Sequence, residues 1–454
     1  MTRVARQSPS HYYCETMKLE KEIKDFVRAR GVELVGVAGP ERFDGPPSTD
    51  LNYSMKGARS VISMAVPYHV GAIYDFLAKR SPAPHNLDQF LKYQRIMRLE
   101  KELADFMVER GFRARPLPMS CDYRRAPYVF SLKPAFSLRL GAIATGIAAP
   151  GWSGNVKTKE YGAAVHLGGV ITDAVLESDP LIPANYFIDG VCAKCKRCAM
   201  SCPPRMFDAK EAEYIYLNGE LLPRGRHRNI DYCNTSCFGL HSLSVDRKFS
   251  NWGLHWIKEW VEGLPEPRKR LTILLALLKR GLTTGDSTQR FDVLRRVCYI
   301  VWPDEILDGI PEVDDLPPDE GERYRILAEL MRRLDIKGIE SYPIPLICGQ
   351  CALVCGPTPE ETAERYRILR SAGLVIPGPD GKMTRVNTFE EAAALRHQDS
   401  IKPGKLREAR DILATAILWH RHYFGIQPRT MYQNWRYERK LRAAVEAKKE
   451  QASR

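Results

Sequence analysis

The residues in this chain best suited to chemistry are its cysteines. The stretch GVCAKCKRCAMSCPPRMF, from Gly190, carries Cys192, Cys195, Cys198 and Cys202, with Pro203 directly after. The spacing C-x2-C-x2-C-x3-C-P holds 4Fe–4S clusters, and its fourth cysteine serves a neighbouring cluster. Further along, LICGQCALVCGP supplies Cys348, Cys351 and Cys355 as C-x2-C-x3-C. Exchanging the last cysteine of each motif gives Cys192, Cys195, Cys198 and Cys355 to one cluster. Cys202, Cys348 and Cys351 then belong to the second, which needs one more thiolate. Between the motifs, RNIDYCNTSCFG offers Cys233 and Cys237. Cys233 is favoured as the eighth ligand, with Cys237 the alternative. Zinc knuckles favour paired C-x2-C groups completed by a second pair or by histidines, a poorer match. Cys14, Cys121 and Cys298 have no partner at ligand spacing and read as unligated thiols.

Composition agrees with metal rather than disulfide use. The twelve cysteines of this 454-residue chain cluster tightly, whereas disulfide frameworks belong to small secreted domains. A hydrophobic fraction of 44% with 27% charged residues describes an ordinary globular protein. The longest apolar runs, LTILLALL from Leu271 and ILATAILW from Ile412, fall short of the roughly 20 residues a membrane helix needs. The first residues show neither an apolar signal core nor a twin-arginine pair, so a cytoplasmic protein is expected. The net charge of +13 suits an acidic partner: an electron donor, a phosphate-bearing cofactor or RNA. Much of that excess lies in the basic C-terminal tail, which reads as a solvated helix.

The elements that must position these cysteines are legible in part. Leu19, Ile23 and Phe26 share a helix face, Gly31 stops that helix, and VELVGVA follows as a short strand. ARSVISMAVPY, from Ala58, is a second strand. MRLEKELADFMVERGFRARPLP, from Met97, repeats the order helix, glycine, strand. This is an α/β pattern, but no G-x-G-x-x-G or P-loop marks a nucleotide site. LGAIATGIAAPGWSGNVKTKEYGAAVHLGGVITD, from Leu140, is glycine-rich and contains the strand AAVHLGGVITD. Glycine at such density signals tight turns or close backbone approach. Within that strand His166 reads as a hydrogen-bonded core histidine. Residues 240–340 read as a helical insertion, with Trp252, Trp256 and Trp260 on one face as core.

Taken in this order, the elements resemble the superfamily of the cobalamin-dependent reductive dehalogenases and epoxyqueuosine reductases. There a segment of the form A-G-L-G-x-x-G-x-N-G…T-P-x-Y-G…L-G-x-x-x-T-D leads into the four-cysteine run. Leu140, Gly141, Gly154, Asn155, Thr158, Tyr161, Gly162, Leu167, Gly168, Thr172 and Asp173 stand at the corresponding places. The likeness spans roughly Met17 to Cys355 and is that of a divergent member. It implies an α+β fold with three parts. A nitroreductase-like corrinoid-binding core occupies 15–180. A ferredoxin-like module with two 4Fe–4S clusters occupies 181–360, including the insertion. A helical region with the basic tail occupies 361–454.

The resemblance also implies an activity: electrons pass through both clusters to cobalamin, which reductively cleaves a C–halogen or C–O bond in a small-molecule substrate. Gly141, Gly154, Asn155, Thr158, Tyr161, Gly162 and Gly168 would face the corrinoid. Asp122, then Tyr123 and Tyr128, in SCDYRRAPYVF, are the expected proton donors. A ferredoxin or flavodoxin would supply the electrons. Two alternatives stand beside this reading: a tRNA nucleoside reductase, which the basic tail suits, and an electron-transfer protein without corrinoid.

Overall fold

A computed structural model of the chain describes residues 9–117, 119, 134–202, 205–227, 252, 300–335, 348–377, 383–396 and 428–453. Asp122, Tyr123, Tyr128, Cys121, Cys233, Cys237, Cys298 and most of the 240–340 insertion lie outside them, as does the side chain of Cys14.

The fold is mixed α+β. Helix α1 (Pro9–Arg28) runs into strand β1 (Leu34–Ala38), and β2 (Ser60–Pro67) follows. Next come α2 (Val70–Leu77), α3 (Ala83–Glu109), β3 (Ala114–Pro116) and α4 (Leu138–Ala144). A two-residue hairpin, β4 (Ala149–Pro150) with β5 (Val156–Lys157), precedes β6 (Val165–Thr172). The expected strands therefore form where the sequence places them. Their sheet has the order β1-β2-β6-β3 and every pairing is antiparallel, with Ser60 opposite Thr172 and Pro67 opposite Val165.

Strand β2 sits at the centre, and its alternation separates two layers. Ile62, Met64 and Val66 face α1 and α3, joining Ile23, Val27, Ile96, Leu103 and Met107. Val61 and Ala65 face the α4 side, with Phe136 and Ala144 beside Val61 and with Leu140 and Ile143 beside Ala65. Each fully buried Ile or Met side chain contributes about 1.5–3 kcal/mol, so this double-sided core anchors everything that follows it.

Beyond β6 the cysteine region begins with a π-helical turn (Ile188–Cys192) and two short helices, α5 (Ala193–Cys195) and α6 (Arg197–Ser201). The long hairpin β7 (Phe207–Leu217) and β8 (Glu220–His227) turns at Asn218 and Gly219, both at positive φ. Then come α7 (Glu320–Arg333), α8 (Gln350–Leu353) and α9 (Pro359–Ser371). The hairpin β9 (Leu374–Pro377) and β10 (Met383–Val386), α10 (Phe389–Arg396) and α11 (Pro428–Ser453) complete the described chain. Trp252 is buried against Phe76, their rings 5.8 Å apart, as a core tryptophan should be. No described helix is long and apolar enough to cross a membrane.

Candidate metal centre

The chain reverses direction once within each cysteine motif. In the first motif Lys196 supplies the reversal, with φ of 50° between α5 and α6. In the second, Gly349 does so at the N-terminus of α8, with φ of 66°. Cys192 therefore closes the π turn, Cys195 ends α5, Cys198 lies in α6 and Cys202 caps it. Cys348 precedes Gly349, Cys351 lies in α8, and the Cys355 N–H donates to Ala352 just past it.

Cys192, Cys195, Cys198 and Cys355 line one recess, together with Gly151, Trp152, Ser153, Asn155, Lys157 and Lys196. The recess thus unites three cysteines of the first motif with the last of the second. Cys202 and Cys351 meet in the apolar cluster that also contains Cys192 and Cys198, and Cys348 is buried. None of these seven cysteines forms a disulfide. Among the described residues, no three histidine, cysteine or carboxylate side chains converge on a point that one metal ion could fill.

The sulfurs have specific polar neighbours. The Asn155 side-chain amide donates to Cys351 Sγ at 3.3 Å, Arg197 to Cys195 Sγ at 3.6 Å, and the Met206 N–H to Cys202 Sγ at 3.4 Å. Burial pushes the Cys355 thiol up to about 11, with Lys157 pulling the other way. Burial likewise raises Cys198 well above its ordinary range, and the neighbouring Cys355, Cys192 and Cys351 add to it. Cys192 is raised by burial too, eased by a main-chain hydrogen bond from Trp152 and by Lys157. Bare thiolates here are costly, which disfavours a nucleophilic role; a metal would offset the cost.

Lys157 is the residue that sequence reading missed. It is 1% exposed and lines the recess, and no described carboxylate pairs with it. A buried ammonium is expensive unless a negative group stands near. Its place on β5, beside Val156 in a two-residue strand, is a tertiary fact with no local signature. Lys196, whose Nζ lies 2.7 Å from the centre of the Trp152 ring, was missed as well.

The glycines of the segment from Leu140 allow close approach of backbone and side chains, as their density signals. A Cβ on Gly162 would collide with the backbone of Cys355 and Gly356, and the Ala163 N–H donates to the Cys355 carbonyl at 2.9 Å. The Thr158 N–H donates to the Gly162 carbonyl at 2.9 Å, and the Tyr161 N–H donates to Thr158 Oγ1 at 3.0 Å. A Cβ on Gly168 would lie 2.6 Å from Ile96 and 2.7 Å from Glu100 on α3. One on Gly141 would meet Phe136 at 2.9 Å, and one on Gly154 would meet His227 at 2.8 Å. With Asn155 on Cys351, six of the seven residues are engaged by protein atoms, and Tyr161 closes the turn. The segment clamps the second cysteine motif and α3.

His166 departs from expectation. It is buried, but its Nε2 has no hydrogen-bond partner, and neither does either ring nitrogen of His85. The two imidazoles flank Tyr68, with ring centres 4.2 and 5.3 Å from it, and Tyr93 packs edge-on against His166. Aromatic packing rather than hydrogen bonding holds them.

No family model matches the chain, and no curated protein matches it. Solved structures similar to it include epoxyqueuosine reductases and B12-dependent reductive dehalogenases, the two groups its sequence resembles. An epoxyqueuosine reductase with an epoxyqueuosine-modified tRNA stem loop is 14% identical over 70% of this chain and 100% of its own, with a TM-score of 0.33. The epoxyqueuosine reductase from Streptococcus thermophilus is 16% identical over 70% of this chain and 91% of its own, TM-score 0.33. A B12-dependent reductive dehalogenase is 13% identical over 58% of this chain and 37% of its own, TM-score 0.35.

Proposed function

We propose that this chain is an iron–sulfur reductase carrying two 4Fe–4S clusters. One observation carries the reading: Cys355 joins Cys192, Cys195 and Cys198 around a single recess, the exchange that two-cluster spacing requires. The donor set fits the group. Four undisulfided thiols line one recess, and among the described residues no three ligating side chains converge on a point for one ion, whereas zinc needs its sulfurs about 2.3 Å from a common centre. Cys202, Cys348 and Cys351 would hold the second cluster with Cys233, or with Cys237 in its place.

Each cluster would supply one-electron transfer. The chain's own residues tune it: net charge, hydrogen bonds to sulfur and exposure set such potentials. Lys157 offsets negative charge at the first site, and Asn155 donates to Cys351 at the second. The apolar wall of Trp152, Phe187, Ile188 and Ala199 limits the access of water.

Reductive cleavage of a C–halogen or C–O bond on a corrinoid is the finer form of this reading, and its support is the sequence resemblance. The second reading, a reductase of a tRNA nucleoside, has one observation in its favour. Helix α11 is basic, and its exposed Tyr432 and Trp435 stack 5.9 Å apart with Arg439 over Trp435. Stacked aromatics beside cations suit single-stranded nucleic acid, and binding of that kind weakens steeply with salt.

The test is metal content after anaerobic production with cobalamin supplied. Roughly eight irons with matching sulfide per chain are expected for two clusters. A stoichiometric cobalt would extend the reading to corrinoid chemistry, and its absence would leave an electron carrier or another acceptor. Zinc in place of iron would overturn the proposal.

A further inference from the structure

A basic surface adjoins the recess. Lys159, Lys194, Lys196 and Arg197 all lie on the segments that form the first cysteine site. Lys196 lines the recess, Arg197 donates to Cys195 Sγ, and Lys194 is exposed one residue before that cysteine. Lys159 is exposed, with its Nζ 5.1 Å from the ring centre of Tyr186. None of these four cations pairs with a described carboxylate. Elsewhere, by contrast, basic residues are commonly neutralised: Arg30 by Glu102, Arg113 by Asp173, Arg224 by Glu213. The acidic residues on the same segments are Glu160 and Asp189, and Asp189 accepts a hydrogen bond from Asn185. Among the cations stand two large exposed side chains, Tyr186 at 48% and Met200 at 46%.

Resting on the iron–sulfur reading, we propose that this face docks an acidic electron-carrier protein, which delivers electrons at the Cys192–Cys195–Cys198–Cys355 site. The charge left unpaired among the described residues is the argument for an anionic partner. Exposed Tyr and Met among cations match the composition of transient interfaces, where aromatics and Met supply contact area and charge supplies encounter rate. The step is a one-electron transfer: the reduced carrier loses one electron, the protein site gains it, and no bond forms or breaks. A carrier arriving here has a short path inward, because Cys195 lies between Lys194 and Lys196 in the chain.

The experiment uses the anaerobically produced holoprotein and follows bleaching of its visible absorption in a stopped-flow instrument. Reduced flavodoxin is the acidic carrier, and methyl viologen radical is the small reductant without an acidic surface. The K159E/K194E variant changes two exposed cations outside the recess. With flavodoxin at low salt its rate should fall by roughly tenfold or more, the lower end of electrostatic steering. The wild-type rate should fall as salt rises, and the variant's should barely respond. Methyl viologen should reduce both proteins at similar rates, with equal iron content. A flavodoxin rate that is unchanged in the variant, or insensitive to salt in the wild type, would overturn the docking proposal while leaving the clusters intact. Wild-type protein without iron would overturn the cluster reading itself. Should the double variant lose iron, K194Q alone and the wild-type salt series decide the matter by the same criteria.

Discussion

The main-chain N–H of Ala163 donates to the carbonyl of Cys355 at 2.9 Å. That one bond ties the turn before β6 to the last cysteine of the second motif, and Gly162 makes it possible. A side chain on Gly162 would occupy the space of the Cys355 and Gly356 backbone, and its φ of 68° already disfavours any Cβ. Gly162→Ala should therefore displace Cys355 and cost at least about 2 kcal/mol, combining αL strain with the collision. Iron per chain should fall toward half in the purified variant. Full iron with unchanged thermal stability would mean that this contact is not needed to hold the site.

Lys157 should control the potential of the first cluster. Replacing it by Met keeps the buried stem and removes the charge, so the more negative, reduced state loses a stabilising partner. Lys157→Met should shift one of the two midpoint potentials downward in a redox titration followed by electron paramagnetic resonance, and leave the other nearly in place. Equal shifts in both, or none, would show that the ammonium does not act on this site.

Asn155 makes the complementary prediction. Its amide donates to Cys351, assigned to the second cluster. Asn155→Ala removes a hydrogen bond to sulfur and should lower the other midpoint potential. The two substitutions together should move both signals independently, because they act on different sulfurs.

The buried imidazoles predict a pH effect. Burial lowers His85 and His166 from 6.5 to about 3, so the folded protein keeps both neutral. Below pH 6.5 the unfolded chain binds protons there that the folded chain refuses, and stability falls by about 1.4 kcal/mol per pH unit for each. Asp88 works in the opposite direction. Burial raises it from 3.8 to about 6, so between those values the folded state holds the extra proton and stability rises as pH falls. The three groups together lose about 1.4 kcal/mol per unit between pH 6 and 4. His85→Phe fits the aromatic slot beside Tyr68 and Phe76 and removes one of the two losses. Denaturant titrations should then show the variant's acid slope reduced by about 1.4 kcal/mol per unit. At neutral pH it should be at least as stable as the parent, because neither nitrogen of His85 has a partner to lose. An unchanged acid slope would refute the buried neutral state.

How far the sequence alone reaches can be judged from particular residues. The cysteines were legible because ligand spacing is a local property, and each motif carries one left-handed residue between two of its cysteines, Lys196 in the first and Gly349 in the second. The strands holding Val37, Ile62 and Val170 were legible from apolar runs. Their order was not, since helix–strand alternation does not fix which strands pair, and here every pair is antiparallel. The β7–β8 hairpin carried a signal that went unused. Asn218-Gly219, between Leu217 and Glu220 with the apolar Ile215 and Leu221 beyond, is a strong two-residue hairpin sign, and both residues have positive φ. Lys157 and the unpartnered His85 were beyond reach, because burial of a polar side chain is decided by distant packing. The glycine density was legible as close approach, but the groups approached were not. Gly162 and Gly168 make room for backbone and helix that lie far off in the chain.

The most direct test of the crossed cluster arrangement is Cys355→Ser, followed by iron content and electron paramagnetic resonance of the anaerobic protein. Cys355 belongs to the second motif, yet the structure seats it with Cys192, Cys195 and Cys198. Crossed ligation predicts that this change damages one cluster and that Cys195→Ser damages the same one, whereas Cys348→Ser damages the other. If Cys355→Ser and Cys348→Ser abolished the same signal, or Cys355→Ser left both signals and all the iron in place, the crossed arrangement of the two motifs would be contradicted.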